Sequence, residues 1–278
     1  MLVVNLWDTE FAHTRSVLGF DGNCFQKPTK IEYVRNQMEW DGITLFTNNC
    51  LHMVTKVKSK YKIAWMCEAR PIFPSSFQHL EELESEFDYI FTWYRDLLEK
   101  NPQKYKCILV GSTRIPEAER QIHPKTKLCS LLVSKQMTTP AHRFRHILAQ
   151  HLEGSPGLTI FGPNHTPYPT KVEPHKDFMF SIVIMNSCED YFFTEYLIDC
   201  LLCGSIPIFY GCPSLGKYFN MDGILHFTDF NDVIDLINTI TPELYYSKLA
   251  AIKDNFELAK QYVCTDDMLA DILLKIAV

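Results

Sequence analysis

The chain has 278 residues, 46% hydrophobic and 22% charged, with 27 Lys plus Arg against 33 Asp plus Glu for a formal charge of −6. That acidic balance argues against a nucleic-acid partner, which needs a basic face. The longest mainly apolar stretch, Phe178 to Met185 with Ser181 inside it, is far short of the roughly 20 residues that cross a bilayer.

Short apolar runs bounded by turn residues predict strands at Val3–Trp7, Ile43–Phe46, Lys62–Cys67, Tyr89–Trp93, Ile108–Val110, Leu131–Val133, Leu158–Phe161, Phe178–Met185 and Ile206–Tyr210. Helical patterns fall between several of them, at Phe77–Glu86, Ala141–Leu152, Asp190–Cys203 and Pro242–Tyr262. Alternating strands and helices, some strands continuously apolar, predict an α/β protein whose parallel sheets are covered on both faces. The stretch Arg114 to Lys127, rich in charge and holding two prolines, is expected to be either a linker between two α/β halves, residues 1–125 and 126–278, or an ordinary surface loop.

The clearest unit lies in the second half. Phe178–Met185 is expected to be a buried strand, and Asn186-Ser187 a turn. Cys188-Glu189-Asp190 then supplies acidic residues to the positive end of a helix ending at Gly204, and Ile206–Tyr210 is the next strand. Phe192, Phe193, Leu197, Ile198, Leu201 and Leu202 make that helix apolar nearly all round, so it should be buried. Glu195 and Asp199 form a narrow acidic stripe in line with Tyr191. Spacing alone favours a stripe that meets solvent over one that binds something. Glu68 directly follows the strand Lys62–Cys67, at a carboxyl end where a base for a substrate hydroxyl could stand. A solvated loop acid is the simpler expectation there.

Ten cysteines are scattered among apolar neighbours, which predicts buried reduced thiols rather than a disulfide framework. Cys200-x-x-Cys203 has redox spacing but falls near a helix C-terminus, where thiolates gain nothing. The phosphate loops G-x-x-x-x-G-K-[ST] and G-x-G-x-x-G are absent, as are H-E-x-x-H, G-x-S-x-G and any Asp-x-Asp that could hold a divalent ion. Phosphate chemistry here would fall to Arg or Lys, backbone amides and helix dipoles.

The stretch Asn186-Ser-Cys-Glu-Asp-Tyr-Phe-Phe-Thr-Glu-Tyr-Leu, continuing to Gly204-Ser-Ile-Pro-Ile-Phe-Tyr-Gly211, resembles the donor-binding signature of family 10 glycosyltransferases, the α-1,3/4-fucosyltransferases. Leu131-Leu-Val-Ser-Lys, then Arg145-His-Ile-Leu-Ala-Gln-His-Leu152, is similar to an upstream family segment. Lys62-Ile-Ala-Trp-Met-Cys-Glu68-Ala-Arg-Pro71 resembles the segment with the family's catalytic glutamate. The order of segments agrees from about residue 60 to 262. The first sixty residues match nothing comparable.

The resemblance implies a GT-B fold of two Rossmann-like domains, with the acceptor against the N-terminal one and the donor in the C-terminal one. It implies inverting, metal-independent transfer, with GDP-fucose as the default donor and a glycan or glycoprotein as acceptor. Glu68 would be the general base and Arg145 would neutralise the leaving nucleoside diphosphate. Ser134, Arg145, Asn186, Asp190, Tyr191, Thr194, Glu195 and Tyr196 would line the donor site, with Glu195 accepting from sugar or ribose hydroxyls. No cofactor, no metal and no membrane span are implied, and a cytoplasmic bacterial or viral enzyme fits a chain without an anchor.

Two positions depart from the family pattern. Met185 replaces a glutamate, and Tyr196 replaces a lysine that would put charge on the diphosphate. Lys135, Lys171, Lys176 or Lys217 are the candidate substitutes. These changes leave a UDP-linked sugar, such as UDP-xylose or UDP-galactose, or a catalytically silent glycan-binding protein, as alternatives.

Overall fold

The computed structural model describes residues 1–9 and 26–276, so Cys24 lies outside the described residues. The chain divides into two compact units, residues 1–112 with 264–278 and residues 113–263.

The first unit contains strands β1 (Leu2–Trp7), β2 (Ile31–Arg35), β3 (Glu39–Thr47) and β4 (Lys58–Trp65), helix α1 (Pro74–Leu83), β5 (Tyr89–Thr92), α2 (Arg95–Lys100) and β6 (Tyr105–Cys107). Its six strands among the described residues form one parallel sheet in the order β2-β1-β3-β4-β5-β6. Phe46, Leu51, Val54, Ala64, Met66, Leu80 and Ile90 build an apolar cluster beside it.

In the second unit, β7 (Lys127–Leu132), α3 (Pro140–His151), β8 (Leu158–Phe161), α4 (Glu173–Lys176), β9 (Phe178–Ile184), α5 (Glu195–Leu202), β10 (Ile206–Tyr210) and β11 (Leu225–His226) precede helices α6 (Phe230–Thr239), α7 (Pro242–Ser247) and α8 (Leu249–Ala259). The five strands are parallel, in the order β11-β10-β9-β7-β8. All seven residues of β9 are buried, as befits a central strand between β7 and β10, and its one polar residue, Ser181, is hydrogen-bonded to Ser130 and His175.

Several expectations change. The predicted strand at Ile108–Val110 is irregular chain, and β6 lies just before it, at Tyr105–Cys107. The helix expected from Asp190 begins at Glu195. Tyr191 has φ of 61°, a left-handed conformation that cannot continue a helix, and Thr194 caps α5 by accepting from the Tyr196 amide. The expected 242–262 helix is broken near Lys248.

The division between units also differs from 125/126. Residues 113–126 pack onto the second unit rather than hanging as a linker. The buried Lys125 ammonium lies within hydrogen-bond distance of the carbonyls of His175, Lys176 and Cys203 and the Ser205 hydroxyl, at 2.7–3.1 Å. Burial pulls its pKa down to about 8. The final helix, α9 (Thr265–Ile276), belongs to the first unit rather than the second half. Its Asp267 accepts from the amides of Thr29 and Lys30, its Asp271 pairs with Lys30, and its Asp266 accepts from the Tyr33 hydroxyl. No described helix is long and apolar enough to cross a membrane.

Candidate active site

In chain order, the second unit's strands are arranged 2-1-3-4-5, so the direction of winding reverses between its first and third strands, β7 and β9. Ligands in such sheets bind beyond the carboxyl ends of the strands at that reversal. Arg145 reaches this place from α3. Its guanidinium donates to the Ile184 carbonyl at the end of β9 and, at 3.4 Å, to the hydroxyl of Ser134, two residues beyond β7. The side chain is only 3% exposed, its Nε has no partner, and no carboxylate among the described residues pairs with it. A buried guanidinium charge left without a counter-charge is costly unless an anion joins it.

The start of α3 agrees with that charge. Thr139 accepts from the His142 amide, and His142 Nδ1 accepts in turn from the Thr139 amide. Burial first, and Arg145 second, lower the pKa of His142 to about 4, so its ring is neutral and can accept.

Tyr196, in the first turn of α5, packs against the cluster of Leu132, Phe161 and Phe178, as Tyr168 also does. The Arg145 guanidinium lies 4.8 Å from its ring centroid and the Lys171 ammonium 5.4 Å. Lys217 instead lies 5.0 Å from the ring centroid of Tyr191. Of the four candidate lysines, Lys171 is therefore the one beside Tyr196. Met185, at the other departure, is buried, and its sulfur accepts from the Thr194 hydroxyl at 3.8 Å.

Asn186 follows β9 and its Oδ1 is buried without a partner. Asp190 and Tyr191 lie in the irregular stretch before α5, and the Tyr191 amide donates to Ser214 at 2.9 Å. Ser134, Arg145, Asn186, Thr194 and Tyr196 thus come together around the ends of β7 and β9. Asp190 is not in a helix first turn, which removes the dipole reasoning that singled it out.

The acidic stripe on α5 has protein partners rather than solvent. Glu195 pairs with Arg114 at 3.0 Å, and buried Asp199 accepts from the Thr113 hydroxyl at 2.6 Å and the Arg114 amide at 2.8 Å. Burial raises the pKa of Asp199 to about 7 despite those two bonds.

In the first unit, Glu68 is half-buried in a bend three residues beyond β4. The turn behind it is pinned by the Arg70 amide, which donates to the Tyr94 hydroxyl at 2.7 Å, and by the Arg70 guanidinium, which lies over the Tyr94 ring and pairs with Asp96. This sheet also reverses between β1 and β3. There Asp8 is buried, accepts from the Thr47 hydroxyl at 2.6 Å and lies 3.5 Å from Arg35. Sequence reading passed over Asp8, although it directly follows a predicted strand, the same signal that singled out Glu68.

Cys200 and Cys203 are buried free thiols whose pKa values burial pushes up, Cys200 to about 12. That suppresses the thiolate which redox chemistry needs.

No family model and no curated protein matches the chain. Its fold is similar to that of a crystal structure of an alpha1,3-fucosyltransferase with GDP, at 18% identity and TM-score 0.58, over 100% of this chain and 91% of that one. It is also similar to an alpha1,3-fucosyltransferase with GDP-fucose, at 16% identity and TM-score 0.55, over 94% and 90%. A UDP-forming alpha,alpha-trehalose-phosphate synthase from Burkholderia vietnamiensis aligns with TM-score 0.58 at 10% identity, over 85% of this chain and 73% of that one. The architecture is the GT-B type, two Rossmann-like units each built on a parallel sheet.

Proposed function

We propose that the protein is an inverting, metal-independent glycosyltransferase that moves a sugar from a nucleoside-diphosphate sugar to a glycan hydroxyl. One observation carries this reading: Arg145 is buried where the second sheet's winding reverses, with an unpartnered Nε and no carboxylate among the described residues. A guanidinium fork suits a phosphate, and a diphosphate supplies the missing negative charge. The fold similarity to fucosyltransferases bound to GDP and GDP-fucose supports the same ligand class.

In this reaction Glu68 takes the proton from the acceptor hydroxyl, whose oxygen attacks the anomeric carbon from the face opposite the phosphate. The bond from that carbon to the diphosphate oxygen breaks, and the nucleoside diphosphate leaves with the electron pair. Arg145 neutralises the charge that develops on it, where preorganised positive charge lowers the barrier most. Asn186 offers its unpartnered oxygen to a hydroxyl or amide of the donor. GDP-fucose is the donor that the sequence resemblance favours, and a UDP-sugar is the alternative.

The test is turnover of GDP-fucose, GDP-mannose, UDP-xylose, UDP-galactose and UDP-glucose in the presence of EDTA. Turnover of one donor, lowered about a hundredfold by Arg145→Lys, is expected. If no donor is turned over and Glu68→Gln changes nothing, the chain is a silent binding protein. Loss of activity in EDTA with recovery on adding manganese would overturn the metal-independent part.

A further inference from the structure

Lys171 stands in the connection between β8 and α4, and its surroundings hold the ammonium without neutralising it. Its Nζ is 3.2 Å from the Tyr168 hydroxyl and 5.1 Å from that ring's centroid, and Tyr168 is in turn packed edge-on against Phe161. The nearest acid in sequence, Glu173, is turned away to accept from the amide and hydroxyl of Thr170. Among the described residues no carboxylate lies within ion-pair distance of Lys171 or of Arg145. Yet both cations lie over the ring of Tyr196, at 5.4 and 4.8 Å from its centroid.

Two like charges held over one ring repel each other, the more so because one is buried. Aromatic faces offset only part of that. An anion carrying more than one charge turns the repulsion into attraction on both sides. A single phosphate docked in the guanidinium fork has no second phosphate to extend toward Lys171, whereas two linked phosphates offer a second group to a point-charge ammonium.

Building on the nucleotide-sugar reading above, we propose that Lys171 is the second phosphate-binding cation of this unit, gripping one phosphate of a nucleoside diphosphate while Arg145 grips the other. The pair makes the site selective for diphosphates over monophosphates. It also returns, from a different segment, a positive charge that the first turn of α5 does not supply.

The experiment is calorimetric titration of the full chain with GDP, GMP, UDP and UMP. Lys171→Gln should weaken the preferred nucleoside diphosphate about tenfold and leave the matching monophosphate within about twofold, while Lys171→Arg stays close to wild type. The thermal midpoint of Lys171→Gln without nucleotide should be unchanged or higher, because a repulsion is removed, and this separates lost binding from lost fold. If Lys171→Gln leaves diphosphate affinity unchanged, or lowers both nucleotides equally, the proposal is wrong. Should Arg145→Lys weaken the diphosphate while Lys171→Gln does not, this assignment fails and the nucleotide-sugar reading stands. If the wild-type chain binds none of the four, both fail.

Discussion

The guanidinium of Arg145 lies 4.8 Å from the centroid of the Tyr196 ring, across the gap between α3 and the first turn of α5. The ring steers the fork without sharing its charge, and a cation–π contact of this kind is worth about 1 kcal/mol. Tyr196→Phe should therefore keep nucleotide affinity within about twofold, whereas Tyr196→Leu should lower it about fivefold. Equal losses in both variants would instead assign the effect to the hydroxyl. Titration calorimetry distinguishes the two.

Glu68 and Arg145 sit in different units, so their variants should separate kinetically. Glu68→Gln should lower kcat for transfer by about 10²–10⁴, the usual contribution of a general base. Nucleotide affinity should be unchanged. Steady-state kinetics together with nucleotide titration check both halves, and a matching loss of affinity would remove Glu68 from the role of base.

Asp199 makes the stability of the second unit depend on pH. Its folded pKa, about 7, lies above the ordinary carboxylate value because the group is buried. The folded state thus holds its proton more tightly than the unfolded one. The stability this contributes is complete below about pH 4 and is lost as pH rises through about 7. Asp199→Asn keeps an acceptor for Thr113 and Arg114 but does not ionise. Its thermal midpoint relative to wild type should therefore climb between pH 5 and pH 8, at about 2–4 °C per kcal/mol. A flat difference across that range would mean that the carboxyl titrates normally.

Gly162 directly follows β8 with φ of +148°, and a Cβ there would come within 2.5 Å of the Val133 carbonyl oxygen. The obstacle is backbone of the neighbouring strand's end, which cannot swing aside. Gly162→Ala should cost about 2–3 kcal/mol and lower the melting temperature by roughly 5–10 °C. Because Val133 immediately precedes Ser134, nucleotide affinity should fall as well. Differential scanning calorimetry with and without nucleotide measures both.

Much of the second unit was legible in the linear chain because its signals are local. The nearly continuous apolar run of β9, the apolar circumference of α5 and the Gly204 stop are set by neighbours in sequence, and the structure places β9 and the end of α5 within a residue or two of expectation. The misplaced start of α5 is also local, but its cause is not. Tyr191 is held in its left-handed turn with its amide donating to Ser214, more than twenty residues away, which no periodicity reveals. β2, Ile-Glu-Tyr-Val-Arg, buries only Ile31 fully and pairs on only one side at a sheet edge, so its pattern was too weak to stand out.

The amino-acid sequence by itself determined the α/β class, the parallel sheets and the set of chemical groups, because hydrophobic period and side-chain identity are properties of the chain. Only the tertiary structure decided what each group faces. It gave Glu195 and buried Asp199 protein partners by bringing residues 113–114 against α5, and assigned α9 to the first unit through Asp266, Asp267 and Asp271. It also left Arg145 and Lys171 facing one ring without counter-charges among the described residues. Whether a charge is neutralised depends on distances of a few ångströms between segments remote in sequence, and those are set by how strands order in a sheet.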